Sequence, residues 1–342
     1  MSKAQESGSR VGEIDALRGI AAVAVMLFHY TTRIAELYPM GADPAFNFKH
    51  GHFGVNLFFI ISGYVIFMTL HRTRRPMDFV VSRFSRLFPA YWVAVVVTFA
   101  VTSWLGLPGK QVTATEALAN LAMVHSFFGV PHVDGVYWTL EVELLFYAGM
   151  FGLYRAGRLG QVHTALWLML GLRLGYFLAA RLWGIDLPWR VSRFLILEQI
   201  PWFAIGIAIY ILVHPRDSRD PVKSGALIVG ALGLLALVTS PAISALTLGM
   251  AALVYAAATR KLGWLAHPVM VWLGAISYTL YLLHENIGWS VMLRLRDWGV
   301  PRDLGIVCGI VLSLALATAL TRWVEQPAMA WIRRRYKARH PQ

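Results

Sequence analysis

Acidic side chains are few in this sequence and cysteine is nearly absent. Eighteen aspartates and glutamates stand against 31 lysines and arginines, and charged residues make up only 14% of the 342 positions. So few charges cannot clothe the surface of a water-soluble chain of this length. The single cysteine, Cys308, excludes an internal disulfide and argues against thiolate metal sites. No domain-sized polar block, low-complexity linker or internal repeat interrupts the chain, so no soluble domain is expected within it.

Apolar side chain is abundant instead: 57% of residues are hydrophobic and the mean hydropathy is +0.57. A soluble core cannot hide that much, so the bilayer has to serve as part of the solvent. A net charge of +13 raises nucleic acid as a partner. The basic residues nevertheless lie in short clusters between apolar runs rather than on one polar face, which excludes that partner and reads as topology.

At about 20 residues per span, the apolar runs predict ten transmembrane helices near residues 14–34, 54–71, 89–106, 135–154, 162–182, 195–214, 223–239, 242–258, 269–290 and 304–324. Ser240 and Pro241 mark a tight hairpin between the seventh and eighth, and the short apolar stretch Glu116 to Phe128 reads as interfacial or re-entrant. The first run carries Asp15, Arg18 and His29 and does not end in a small-residue cleavage site, so it reads as a permanent span rather than a signal. The fold class expected is an all-α polytopic membrane bundle with a cytoplasmic interfacial helix over Arg72 to Pro89. Its parts are an N-terminal tail over 1–12, a transmembrane domain over 13–335 and a basic tail over 336–342. Nineteen lysines and arginines fall before the first span, after the last and in the connections after even-numbered spans, Arg216 and Arg219 among them, against seven in the other connections. That asymmetry predicts cytoplasmic termini.

Charged groups inside a span cost at least about 2.5–3.5 kcal/mol on insertion scales and therefore point to function or pairing. Arg18 and His29 are eleven residues apart, which at 100° per residue places them within roughly 20° of one helix face, with Asp15 at i−3 from Arg18. They form a polar stripe, extended by Arg33, which passes the small residues Gly19 and Ala22 where another helix or a ligand can approach. His29 stands about 22 Å along the first span, and His284 is similarly far along the ninth. Glu141 and Glu143 lie roughly 9–12 Å below the outer surface by the same rise, on different faces of the fourth. Between the second and third spans, Phe79, Arg83 and Arg86 share a face, and arginine forks match phosphate oxygens. Plainer readings stand beside these: His29 and His284 as packed core residues, Arg83 and Arg86 as topology or headgroup contacts, Asp15 with Arg18 as a structural ion pair.

Six segments in this order resemble the acyltransferase 3 family of integral-membrane O-acyltransferases of bacterial surface glycans. They are Asp15-Ala-Leu-Arg18 with Phe28-His29; Gly54 through Ser62-Gly63; Phe79 with Arg83, Arg86 and Pro89; Trp138-Thr-Leu with Glu143 and Phe146-Tyr147; Ile276-Ser-Tyr278 with Tyr281 and His284; and Glu325-Gln-Pro327. The resemblance covers about Val11 to Arg335. It implies transfer of an acyl group, usually acetyl, from cytoplasmic acyl-CoA to a hydroxyl on the far side of a bacterial inner membrane, with no metal. The acceptor implied is a glycan or glycoside, lipid-linked or free. Carried over, the functional histidine is His29, with Glu143 and Asp15 in the catalytic set, and Arg18, Arg83 and Arg86 hold acyl-CoA. Trp138, Tyr147, Asn56, Ser62 and His284 are left as substrate contacts. Asn56 stands where the family often has Asp, and Glu141 is an additional acid. Direct transfer and an acyl-histidine intermediate both remain open, as does the oxyanion donor among Asn56, Ser62, Trp138 and Tyr147. The competing reading is a transporter or flippase for a lipid-linked glycan or anionic solute, since polar stripes also line substrate pathways.

Overall fold

A computed structural model describes residues 12–214 and 221–340. Lys3, Arg10, Arg216 and Arg219, and most of the N-terminal tail, lie outside the described residues. Those described form helices joined by turns and short loops, with no strand among them. The longer helices are α1 (Gly12–Phe28), α2 (Gly54–His71), α3 (Pro76–Leu105), α4 (Trp138–Arg155), α5 (Val162–Trp183) and α6 (Ile200–Val213). They are followed by α7 (Pro221–Val238), α8 (Pro241–Ala258), α9 (Pro268–Leu283), α10 (Glu285–Asp297), α11 (Arg302–Leu320) and α12 (Gln326–Arg339). Four of them, α3, α7, α8 and α9, begin on a proline, whose missing N–H costs nothing at that position. The α7–α8 hairpin turns on Ser240, whose hydroxyl accepts from the Ile243 N–H at 3.2 Å and caps α8.

Helix occupies each of the ten segments predicted from hydropathy, but among the described residues seven stretches are long and apolar enough to cross a membrane. The other three fall short through charge, length or a break. Helix α4 carries Glu141, Glu143 and Arg155, α6 has only 14 residues, and the ninth segment breaks at His284 into α9 and α10. The interfacial helix expected over Arg72 to Pro89 is not separate. Pro89 lies inside one continuous 30-residue helix, α3, about 45 Å long at 1.5 Å per residue. That exceeds a hydrocarbon core of about 30 Å, so α3 tilts or extends beyond it.

The described residues fall into two compact units, the first drawn from 12–21, 56–68, 157–214 and 221–275, the second from 22–55, 69–156 and 276–340. At the centre of the first lies α6, buried on every side from Ile200 to Ile211, as a uniformly apolar helix should be. It crosses α2 backbone to backbone: a Cβ at Gly206 would strike the Ile60 carbonyl, and one at Gly63 the Phe203 carbonyl. Helix α1 meets α9 in the same way, through Gly19 against Leu273 and Gly274, the close approach that the small residues of the first span lead one to expect. Helix α5 presents Leu168, Leu172, Leu182 and Trp183 outward, an apolar face suited to lipid.

In the second unit the stretch Glu116 to Phe128 opens on a short helix, Ala114–Asn120, begun by a capping box between Thr113 and Glu116. Its last residue, Asn120, ties down the following loop. The side-chain amide donates to the Glu116 and Pro131 carbonyls and accepts from the Val133 N–H, all within 2.9 Å. The loop thereby delivers Asp134 to the interior.

The α2–α6 crossing gives a stability test. Gly206→Val should cost about 1–3 kcal/mol, the usual penalty of overpacking, and lower the thermal unfolding midpoint of the detergent-purified protein. Gly233→Val, where a Cβ meets open space, should leave it unchanged; equal midpoints for the two variants would contradict the crossing.

Candidate active site

Two histidines meet in the second unit where regular helix is interrupted. Helix α1 ends at Phe28, and residues His29–Arg33 form a π-helical turn, a wider turn often found at functional sites. His284 sits between α9 and α10. Its Nε2 lies 2.8 Å from Nδ1 of His29, with ring centroids 5.0 Å apart. Each histidine is also pinned through its backbone. Trp289 Nε1 donates to the His29 carbonyl at 3.0 Å, and the Tyr30 hydroxyl donates to the His284 carbonyl at 2.6 Å. A hydroxyl has one proton, so Ser313, 2.6 Å from Tyr30, is the donor in their shared hydrogen bond. Gly288 is required here, because a Cβ would overlap the Tyr30 hydroxyl.

Glu285 is the carboxylate beside His29, with Oε2 3.5 Å from its Nε2. Behind it stands a polar cluster built on Asp134, which accepts from the Val136 N–H at 3.2 Å and the Asn286 N–H at 3.1 Å. Asn286 donates its side-chain amide to the Val133 carbonyl at 2.8 Å. Burial holds the Asp134 carboxyl above the usual carboxylate range, opposed by these backbone N–H groups and by Lys110. Lys110 stands over the Trp289 ring at 6.0 Å.

The structure thus brings His29 and His284 together, as their similar depth leads one to expect, and supplies Glu285 as the neighbouring acid. Glu143 accepts instead from the Tyr147 hydroxyl, four residues on, and Glu141 accepts from Ser126. The arginine pair divides. Arg86 forms an ion pair with Glu325, a residue 1% exposed in the π-helical turn Thr321–Glu325. It also lies over the Tyr278 ring at 5.8 Å. Arg83 stacks near Phe79 and Tyr147 at 5.9 and 6.0 Å, and its Nε has no hydrogen-bond partner. Arg333 of α12 joins it: both guanidiniums reach Ser82, at 3.2 and 3.5 Å from its hydroxyl. Trp138 opens α4, half-buried. Asp15, Arg18, Asn56 and Ser62 belong to the first unit, where Asp15, Arg18 and Asn56 are half-buried and Ser62 is buried.

Sequence reasoning missed Glu285, Asp134 and Tyr30, and the approach of Arg333 to Ser82 beside Arg83. Glu285 had a signal, being an acid directly after a histidine within an apolar segment. Asp134 had none, since a loop carries no periodicity to place it.

A family model described as an acyltransferase domain, acyltransferase 3, matches residues 11–322. Among curated proteins, the exopolysaccharide production protein ExoZ of Rhizobium meliloti is 27% identical over 284 residues, covering 76% of this chain and 80% of its own. The putative membrane-bound transacylase BcsY of Komagataeibacter xylinus is 28% identical over 299 residues, covering 81% of this chain and 72% of its own. The peptidoglycan O-acetyltransferase OatA of Listeria monocytogenes is 27% identical over 155 residues, covering 40% of this chain and 23% of its own. No solved structure matches the chain. With a match over nearly its whole length, and with apolar helices fit to cross the bilayer several times, this chain belongs to the acyltransferase 3 family of membrane acyltransferases.

Proposed function

We propose that the protein is an O-acyltransferase that moves an acyl group, acetyl by preference, from cytoplasmic acyl-CoA to a hydroxyl of a carbohydrate acceptor on the outer side of a bacterial inner membrane. The observation that carries this reading is the half-buried imidazole of His29, held at Nδ1 by a second histidine and facing the Glu285 carboxyl group at Nε2. A positioned imidazole is the usual general base for a hydroxyl. The acyltransferase membership favours an enzyme over a transporter, and two similar proteins carry names that point to glycans, exopolysaccharide in one and peptidoglycan in the other.

In the step proposed, His29 takes the proton of the acceptor hydroxyl, the freed oxygen forms a bond to the acyl carbon, and the carbon–sulfur bond breaks. The thiolate of CoA leaves and recovers the proton from the imidazolium. Glu143 and Asp15 are candidates for holding the acceptor, and Asn56, Ser62, Trp138 and Tyr147 for donating to the developing oxyanion.

For the donor, Arg83 and Arg333 form the better phosphate site, because Arg86 is already neutralised by Glu325. Arg18 remains a candidate for the same donor. The basic clusters support cytoplasmic termini on the same reading.

Three variants test these roles in assays that follow release of CoA thiol with a saccharide acceptor. His29→Ala should lower kcat by about 10²–10⁴-fold, the range lost with a general base, while acyl-CoA affinity stays near that of the native protein; substantial residual turnover would remove His29 as the base. Arg83→Ala should weaken acyl-CoA binding with little change in thermal stability. Arg86→Ala should do the reverse, because stranding the Glu325 carboxylate costs on the order of 3–5 kcal/mol. An unchanged acyl-CoA affinity in Arg83→Ala would return that arginine to a topological role.

A further inference from the structure

Resting on the proposed role of His29 as base, the partners of His284 decide which nitrogen of His29 does the work. The Nδ1 of His284 lies 3.1 Å from the Leu280 carbonyl and 3.0 Å from the Tyr281 carbonyl. Carbonyl oxygens only accept, so His284 carries its proton on Nδ1. The ring is fully buried, and it hydrogen-bonds these two carbonyls and His29. Neutral His284 therefore presents a lone pair at Nε2. Two lone pairs 2.8 Å apart would repel, so His29 must be the donor across that contact, with its proton on Nδ1. What is left on His29 is the lone pair of Nε2, the atom that faces Glu285.

We propose that His284 is a positioning residue that fixes the tautomer of His29, so that Nε2 is the basic atom. The role parallels that of the carboxylate in a serine-protease triad, with an uncharged imidazole as the acceptor. The device extends over one further shell. Tyr30 holds the His284 carbonyl, Trp289 holds the His29 carbonyl, and the absent side chain of Gly288 leaves room for Tyr30. In the transfer step, the acceptor proton arrives at Nε2 as the oxygen–carbon bond forms. The Nδ1–H to His284 hydrogen bond keeps the ring from turning, and the proton leaves from Nε2 to the departing thiolate. Glu285, on the Nε2 side, pairs with the imidazolium that exists in between. Titratable and charged groups facing His29 are His284, Glu285, His52, Arg33 and Lys110, and those facing His284 are His29, Tyr30 and Tyr281.

The test separates positioning from mere packing. His284→Phe fills the ring volume without a lone pair; His284→Gln restores an acceptor for the His29 Nδ1–H. At saturating acyl-CoA and saccharide acceptor, His284→Phe should lose at least 100-fold in kcat with KM for acyl-CoA within about twofold of native, and His284→Gln should recover tenfold or more of that loss. Native kcat in His284→Phe, or equal losses in two variants that unfold at the same temperature, would overturn the proposal. A direct reading on the native protein holds whether or not the His284 variants fold: in 15N-histidine NMR, the resonance pair that disappears in folded His29→Ala should show a protonated Nδ1 and an unprotonated Nε2 at neutral pH. The opposite tautomer refutes the proposal. If His29→Ala itself retains turnover, the base reading falls; if it loses turnover while His284→Phe does not, only the positioning role falls.

Discussion

A neutral imidazole removed from water has one N–H and one lone pair to satisfy, and neither can be left to solvent. His284 meets this with two backbone carbonyls on one side and His29 on the other, and the surrounding architecture answers to that need. Its Nδ1 reaches carbonyls three and four residues back only because it stands at the end of α9. It reaches His29 only because α1 opens into a wider turn at the same place. Tyr30, Ser313, Trp289 and Gly288 then fix the two backbones to each other. The second unit is organised around a hydrogen-bond chain whose polarity is set at one end by atoms that can only accept.

The same economy governs the charges. Arg86 and Glu325 neutralise each other in the interior, as buried ions must, whereas Arg83 and Arg333 direct their donors at the oxygens of Ser82. Two arginines close together in sequence therefore serve different ends. Arg86 ties α3 to the turn before α12; Arg83 stacks beside Phe79 and Tyr147 and is the one proposed to hold the donor's phosphate. Their spacing on one helix face could not reveal this, because the partner that distinguishes them lies 239 residues away.

Much of the architecture was legible in the sequence. The apolar runs located helix in every segment they marked, Gly19 foretold a close helix crossing, and the motifs identified the family that the chain belongs to. What periodicity missed were departures from regular helix. The break at His284 and the π-helical turn at His29 are held by tertiary hydrogen bonds from Tyr30 and Trp289, and neither they nor the continuation of α3 through Pro89 are encoded in a pattern of 3.6 residues. Glu285 escaped for a related reason: the depth argument compared whole spans, whereas the decisive neighbour of His29 was fixed by the residue just after a helix interruption. Asp134 is delivered by a loop whose conformation rests on Asn120, a residue with no catalytic character of its own.

The wide turn at His29–Arg33 carries a consequence for how this chain can change over time. A π-helical turn holds one residue more than an α-helical turn, so deleting a single position within it would let α1 run on as ordinary helix. The helix on either side would keep its relative orientation, because the extra residue is what the wide turn absorbs; what would be lost is the widened backbone at which the His29 carbonyl accepts from Trp289. At this point of the chain, residue number is constrained as tightly as residue identity. Insertions and deletions should be tolerated in the loop after Leu37 well before they are tolerated between His29 and Arg33.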